Sequence, residues 1–273
     1  MCSPGPPGDR RRTRHRRRRE GPGLAELFDL TGRTALVTGA SSGLGVNFAI
    51  ALRNAGASVY VAARRVDRLN DLCARHPGLT AVACDVSDED SVAEAAARIN
   101  GEAGALDVLV NNAGTSVPGR AEDESMSDFG YVMNVNVHGT FRLTQLLARP
   151  MLDAGRGSII NVASILGLVA ASPNRQASYC ASKGALISLT RELAVQWARR
   201  GVRVNAIAPG FFPSELTTEL MDGPGNDYVT RNTPMARTGD PNELLGALLL
   251  LAGDAGTFIT GQVIAVDGGW TAR

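Results

Sequence analysis

The chain has 273 residues, 44% of them apolar and 20% charged. That is ordinary for a soluble globular protein and long enough for one large domain or two small ones. No apolar run approaches the roughly 20 residues that cross a bilayer, so no membrane partner is expected. The net charge of +1 hides an asymmetry: residues 1–23 sum to +6, eight arginines against Asp9 and Glu20.

Read in chain order, the first feature is that basic block. "RRRTRHRRRR" at 10–19 repels itself and is flanked by Pro and Gly. Residues 1–23 therefore read as a disordered tail and 24–273 as one folded domain. By charge alone the block has the means to bind nucleic acid or a phosphate-rich surface; the bland reading is an adventitious appendage. No apolar segment follows it, so it does not read as a signal peptide.

Regular structure begins at residue 33. "RTALVTG" is a short apolar run ending in Gly, a buried strand. "GLGVNFAIALRNAG" carries Val46, Ala49 and Ile50 at helical spacing and stops at Gly56. "SVYVAA" is a second strand, followed by a charged helix, and "TAVACDV" a third. Residues 88–103 read as a helix, "LDVLVNNAG" as a fourth strand and 125–153 as one long helix. "GSIINVAS" is a fifth strand, 178–200 a helix, and "VRVNAIAPG" a sixth strand. A polar Pro/Gly-rich stretch covers 211–240. A helix from about Pro241 to Leu251 precedes the last strand, "GQVIAVDGG". Strands apolar on both faces and alternating with helices imply an α/β fold, a doubly wound parallel sheet with helices on both sides. Ligands then bind beyond the carboxyl ends of the strands.

The first such loop, "TGASSGLG", holds Gly39, Gly43 and Gly45. Gly39 permits the tight turn, Gly43 lets backbone approach a pyrophosphate at the helix N-terminus, and Gly45 lets helix and sheet pack closely. Glycines alone merely punctuate turns, but a strand before them and a helix after them indicate a dinucleotide site. At the end of the second strand, where an acid would take a free ribose 2′-hydroxyl, Ala63 is followed by Arg64 and Arg65. Two guanidiniums suit a 2′-phosphate, so NADP(H) is favoured over NAD(H); the competing reading is a solvated pair at a helix start. Asp85, ending the third strand, can accept from an adenine amino group. "NNAG", Asn111 to Gly114, lets a cofactor lie against backbone.

Lys183 is the only lysine among 28 Lys and Arg. It lies four residues after Tyr179, on the same helix face. Free tyrosine titrates near pH 10, about three units too high for acid–base work at pH 7. A nearby compact ammonium can lower it, bond ribose and exchange protons, which guanidinium cannot. The bland reading is an exposed lysine on an amphipathic helix. Ser164, ending the fifth strand, can donate to a substrate carbonyl. Asn136, unfavourable in mid-helix, reads as a water anchor that bends the helix, with Asn134 the competing candidate. Cys2, Cys73, Cys84 and Cys180 are scattered, as are His15, His76 and His138. Neither disulfide nor metal is expected, and a reducing compartment, the cytoplasm, is.

Together "TGASSGLG", "NNAG", Asn136 before "VHGTF", Ser164, "YCASK" and Pro209–Gly210 resemble the short-chain dehydrogenase/reductase family, from about Leu30 to Trp270. The resemblance implies a single seven-stranded Rossmann-type sheet, a homotetramer, and an Asn136–Ser164–Tyr179–Lys183 tetrad that interconverts a small-molecule carbonyl and alcohol. It places the cofactor along Gly39, Ser41, Ser42, Gly43, Leu44, Gly45, Arg64, Arg65, Asp85, Val86, Asn112, Ala113, Gly114, Tyr179, Lys183, Pro209, Gly210 and Phe212. It also implies a mobile substrate lid at 211–238, with Phe211, Phe212, Leu216 and Leu220 as apolar cover. "PGFFPSELT" and "VDGGW" look like gluconate 5-dehydrogenase-like or 3-oxoacyl-acyl-carrier-protein reductase-like members. A protein that keeps the fold and only senses a dinucleotide is the alternative; it would be expected to break the Tyr–Lys pair. Whether Arg175 or Arg231 faces the site stays open.

Overall fold

The structure is a computed structural model; it describes residues 1, 22–171, 175–215, 217 and 224–272. The whole of the basic block, 10–19, and the expected lid residues Leu216 and Leu220 lie outside the described residues.

Seven strands form one parallel sheet in the order β3-β2-β1-β4-β5-β6-β7. They are β1 (Thr34–Thr38), β2 (Ser58–Ala63), β3 (Leu79–Ala83), β4 (Val108–Asn111), β5 (Gly157–Val162), β6 (Val202–Pro209) and β7 (Val263–Val266). The order reverses between β1 and β4, so a crevice opens there at the carboxyl edge. The helices are α1 (Gly43–Asn54), α2 (Val66–Arg75), α3 (Glu89–Ala103), α4 (Met126–Met133), α5 (Thr140–Ala154), α6 (Ala177–Trp197), α7 (Pro224–Asn232) and α8 (Leu245–Ala252).

Two apolar layers sandwich the sheet, because successive strand residues point to opposite faces. In β1, Ala35 and Val37 join the layer of α1, α2 and α8, while Leu36 joins that of α3, α5 and α6. Phe48 and Leu52, four apart on α1, are fully buried; each contributes about 2 kcal/mol by leaving water. Helix ends follow local chemistry. Asp88 caps α3 by accepting from Ser91 N–H at 2.9 Å, Ser125 caps α4 through Asp128 N–H, and α5 stops at left-handed Gly155.

Two expectations change. The long helix of 125–153 is not uniform: a π-helical turn, Asn134–Gly139, joins α4 to α5. At its end, a Cβ on Gly139 would overlap the Val86 carbonyl. Asn134 Nδ2 donates to the Ser87 carbonyl at 2.9 Å. The widened turn is thus docked on the loop after β3 from both ends. The stretch 211–240 is not wholly irregular either: α7 lies in it, with Val229 fully buried. Among the described residues no helix is long and apolar enough to cross a membrane, and no group of three or more His, Cys, Asp or Glu is placed to hold a metal.

Candidate active site

A cavity of about 420 Å³ lies at the carboxyl edge of the sheet, between the loops after β1, β2, β3, β4, β5 and β6. From the glycine-rich turn, Gly39, Ser41, Ser42, Gly43 and Leu44 line it. Gly39 and Gly43 have φ of 66° and 56°, a backbone state that a side chain would strain. Gly45 does not line the cavity. It lies behind, where a Cβ would overlap the Gly39 carbonyl and come within 2.7 Å of Asn112 Nδ2. Its role is the close packing anticipated from the sequence. Ser42 precedes α1 without capping it through its side chain, and a helix start of this kind offers N–H groups and a favourable dipole to an anion.

Arg64, Arg65, Asp85 and Val86 form the wall beyond β2 and β3. Arg65 is not free. Its Nε and Nη2 donate to Ser41 Oγ at 3.1 and 3.0 Å, and Nη2 also reaches Ser42 Oγ at 2.8 Å. Arg64 is exposed. One Asp85 carboxylate oxygen accepts from both Ser87 N–H and Ser87 hydroxyl. Asn112, Ala113 and Gly114 make the floor. Thr38 fixes them: its buried hydroxyl accepts from the N–H groups of Asn112 and Ala113, both at 3.0 Å.

At the other end Ser164, Tyr179 and Lys183 line the same cavity, with Pro209, Gly210 and Phe212. Lys183 is 4% exposed. Its Nζ donates to the Val162 carbonyl at 2.8 Å and lies 5.6 Å from the Tyr179 ring centre. Burial lowers its pKa to about 8, so it is an ammonium at pH 7 that exchanges a proton close to neutrality. Within the chain alone Tyr179 is not lowered. Burial pushes it up to about 12, against a hydrogen bond from Ser164 that acts the other way. The Ser164 hydroxyl also accepts from Leu166 N–H at 3.1 Å, which fixes its position.

Asn136 is fully buried in the π-helical turn and does not line the cavity. Its Oδ1 accepts from Thr115 N–H at 2.8 Å. Its Nδ2 donates to the Thr115 carbonyl and to Ser182 Oγ, both at 2.9 Å. The Ser182 hydroxyl in turn donates to the Tyr179 carbonyl at 2.8 Å. A Cβ on Gly114 would sit 3.4 Å from both Asn136 Oδ1 and Lys183 Nζ, so the asparagine and lysine flank one glycine. Asn134 is turned away, to Ser87. Thr38, Thr115, Val162, Ser182 and Glu215 have no role assigned from the sequence, although Thr38 opens "TGASSGLG", Ser182 lies within "YCASK", Glu215 lies within "PGFFPSELT" and Thr115 follows "NNAG".

A sequence model described as enoyl-(acyl carrier protein) reductase matches residues 39–271. The chain is 39% identical over 251 residues to gluconate 5-dehydrogenase of Gluconobacter oxydans, covering 90% of this chain and 97% of that one. The chain belongs to the short-chain dehydrogenase/reductase family. This dehydrogenase/reductase is also 37% identical to D-threitol dehydrogenase of Mycolicibacterium smegmatis, over 90% of this chain and 95% of that one. Its structure matches that of a gluconate 5-dehydrogenase from Burkholderia cenocepacia in complex with NADP and tartrate. There the TM-score is 0.88 at 35% identity, covering 92% of this chain and 100% of that one.

Cys180 lies between the two site residues Tyr179 and Lys183, yet it does not line the cavity. Burial raises its thiol pKa, the reverse of activation. Cys180→Ala of this short-chain dehydrogenase/reductase is therefore expected to keep its turnover within about twofold, a small-to-small change outside the cavity. A large drop in kcat with cofactor affinity unchanged would assign the thiol a role.

Proposed function

We propose that the protein is an NADP(H)-dependent oxidoreductase that interconverts a carbonyl and a secondary alcohol on a small polyhydroxylated substrate. One observation carries the reading. Tyr179, Ser164 and Lys183 share a single cavity with a glycine-rich turn and an arginine pair. The donor set fits the nucleotide: the N-terminus of α1 suits a pyrophosphate, and Arg64 and Arg65 suit a 2′-phosphate. The relatives that act on gluconate and threitol support the substrate class.

A nucleotide held by the glycine-rich turn and the arginine pair would supply hydride to the carbonyl carbon, or take it up in the reverse direction. Tyr179 gives its phenolic proton to the carbonyl oxygen in reduction and takes one from the alcohol in oxidation. Ser164 donates to the same oxygen as charge develops there. Lys183, ionised at pH 7, favours the phenolate and can hold ribose hydroxyls. Asn136 and Ser182 hold the backbone at Thr115 and Tyr179, and we assign Asn136 the end of the proton path. A relative named 3-oxoacyl-acyl-carrier-protein reductase, from Thermotoga maritima and 35% identical, supports a second reading, a 3-oxoacyl thioester reductase. The intact Tyr–Lys pair speaks against a protein that only senses dinucleotide. We further propose a cytoplasmic homotetramer, built from residues 24–273, with the arginine block as a separate anionic-surface contact.

The reading is tested with NADPH absorbance over a panel of ketoses, keto-sugar acids and 3-oxoacyl thioesters. Turnover on the first two classes is expected, and turnover on thioesters alone would replace the substrate class. NADPH should exceed NADH by at least about tenfold in kcat/KM, about 1.4 kcal/mol. Arg65→Ala and Arg64→Ala should each lose much of that preference, and equal use of both cofactors by the wild type would refute the arginine assignment.

A further inference from the structure

Glu215 lies just after β6, 150 residues from Arg65, yet its carboxylate sits at the rim of the nucleotide end of the cavity. Arg65 donates to it from Nη2 at 2.9 Å and from Nη1 at 3.3 Å. Arg68 Nη1 donates at 2.7 Å and Ser42 Oγ at 2.9 Å. Two guanidiniums and a hydroxyl around one anion are the donors that a phosphate monoester seeks. The carboxylate is a smaller anion already held by them.

We propose that Glu215 determines cofactor selectivity by competing with the 2′-phosphate of NADP(H) for Arg65, Arg68 and Ser42. The proposal rests on the NADP(H) reading above and deepens it. A nucleotide with a 2′-phosphate must share these donors with the carboxylate or displace it, and it meets like-charge repulsion. A nucleotide with a free 2′-hydroxyl meets neither penalty and can donate to the carboxylate. Glu215 therefore narrows the NADP(H) over NAD(H) preference that the arginines create. Two exposed ion pairs, each worth up to about fivefold in an equilibrium constant, set the scale of the effect at roughly tenfold.

The test is calorimetric binding of adenosine 2′,5′-bisphosphate and adenosine 5′-monophosphate to the wild type, Glu215→Gln and Glu215→Ala. The two ligands differ only in the 2′-phosphate. The Glu215 side chain is 54% exposed, so neither substitution opens a core cavity. Expected is about tenfold tighter binding of the bisphosphate by both variants, with the monophosphate unchanged or weaker. Unchanged bisphosphate affinity, or weaker binding because the carboxylate was merely positioning the arginines, overturns the proposal. Equal tightening for both ligands overturns it too, as loss of a general negative field. The wild-type ratio of the two affinities reports separately on the NADP(H) reading: a wild type with no preference sinks that reading, whatever the variants do.

Discussion

Lys183→Met is expected to lower turnover by at least about a hundredfold, the scale of acid–base assistance, while the protein alone becomes harder to unfold. The two effects have one cause. Lys183 is held at about 8, below its ordinary 10.5, because its ammonium is buried. Below pH 8 both folded and unfolded chains carry the proton, and the fold bears the full desolvation cost, about 3 kcal/mol by this gap. Between 8 and 10.5 the unfolded chain keeps a proton that the native chain has released, so stability climbs with pH. Tyr179, raised to about 12, acts oppositely, but only above its ordinary value of 10. Cys84, raised to about 11, opposes from 9 upwards. Melting curves at pH 7, 8 and 9 should thus rise for the wild type and be flatter for Lys183→Met, whose Tm at pH 7 should be higher. Lys183→Arg, with the charge kept but the geometry altered, should lose turnover on a similar scale. The pH profile of alcohol oxidation should move upward in Lys183→Met, since phenolate would form without its nearest cation. Near-normal kcat in both variants with an unmoved profile would reduce the lone lysine to an accident of composition.

Gly139→Ala should cost the fold about 3 kcal/mol or more. The added Cβ would overlap the Val86 carbonyl and lie 2.7 Å from its carbon. Both partners are backbone, so no flexible side chain can yield, and the penalty belongs at the upper end of overpacking. At roughly 2–4 °C per kcal/mol for a chain of this size, Tm should fall by about 10 °C. Gly101→Ala supplies the contrast. It lies within α3 with nothing within 4 Å of the added methyl, and helix propensity alone should make it up to about 1 kcal/mol more stable. If both variants melt like the wild type, the close approach of the π-helical turn to the loop after β3 does not exist in solution.

Much of the site could be read from the sequence because its parts lie beside strand ends, and strand ends are visible as apolar runs closing on Gly, Asp or Asn. Gly39, Asp85, Asn112 and Ser164 were placed that way, and Tyr179 and Lys183 by their spacing on one helix. The π-helical turn was not legible. One additional residue leaves the apolar spacing of Val132, Val135 and Leu143 compatible with an ordinary helix, and only Asn136 hinted at a bend. Glu215 stands inside "PGFFPSELT", but its role was not legible, because a single acid has no period and its partners Ser42, Arg65 and Arg68 come from the loops after β1 and β2 and the start of α2. Helix α7 was hidden by Pro224 and Gly225, since its buried face amounts to little more than Val229.

The π-helical turn also has a rotational meaning. One additional residue in a turn advances every later side chain by roughly 100° about the axis. The segment 126–133 packs beside α6, whereas Leu143, Leu147 and Met151 of α5 are buried against α3 and the sheet. A single rod therefore serves two neighbours on different sides, and the offset between its halves is set at the turn that holds Asn136. Straightening the rod to spare the irregularity would swing one apolar face to water. The asparagine's position and the packing of two helix layers are thereby locked to one backbone event.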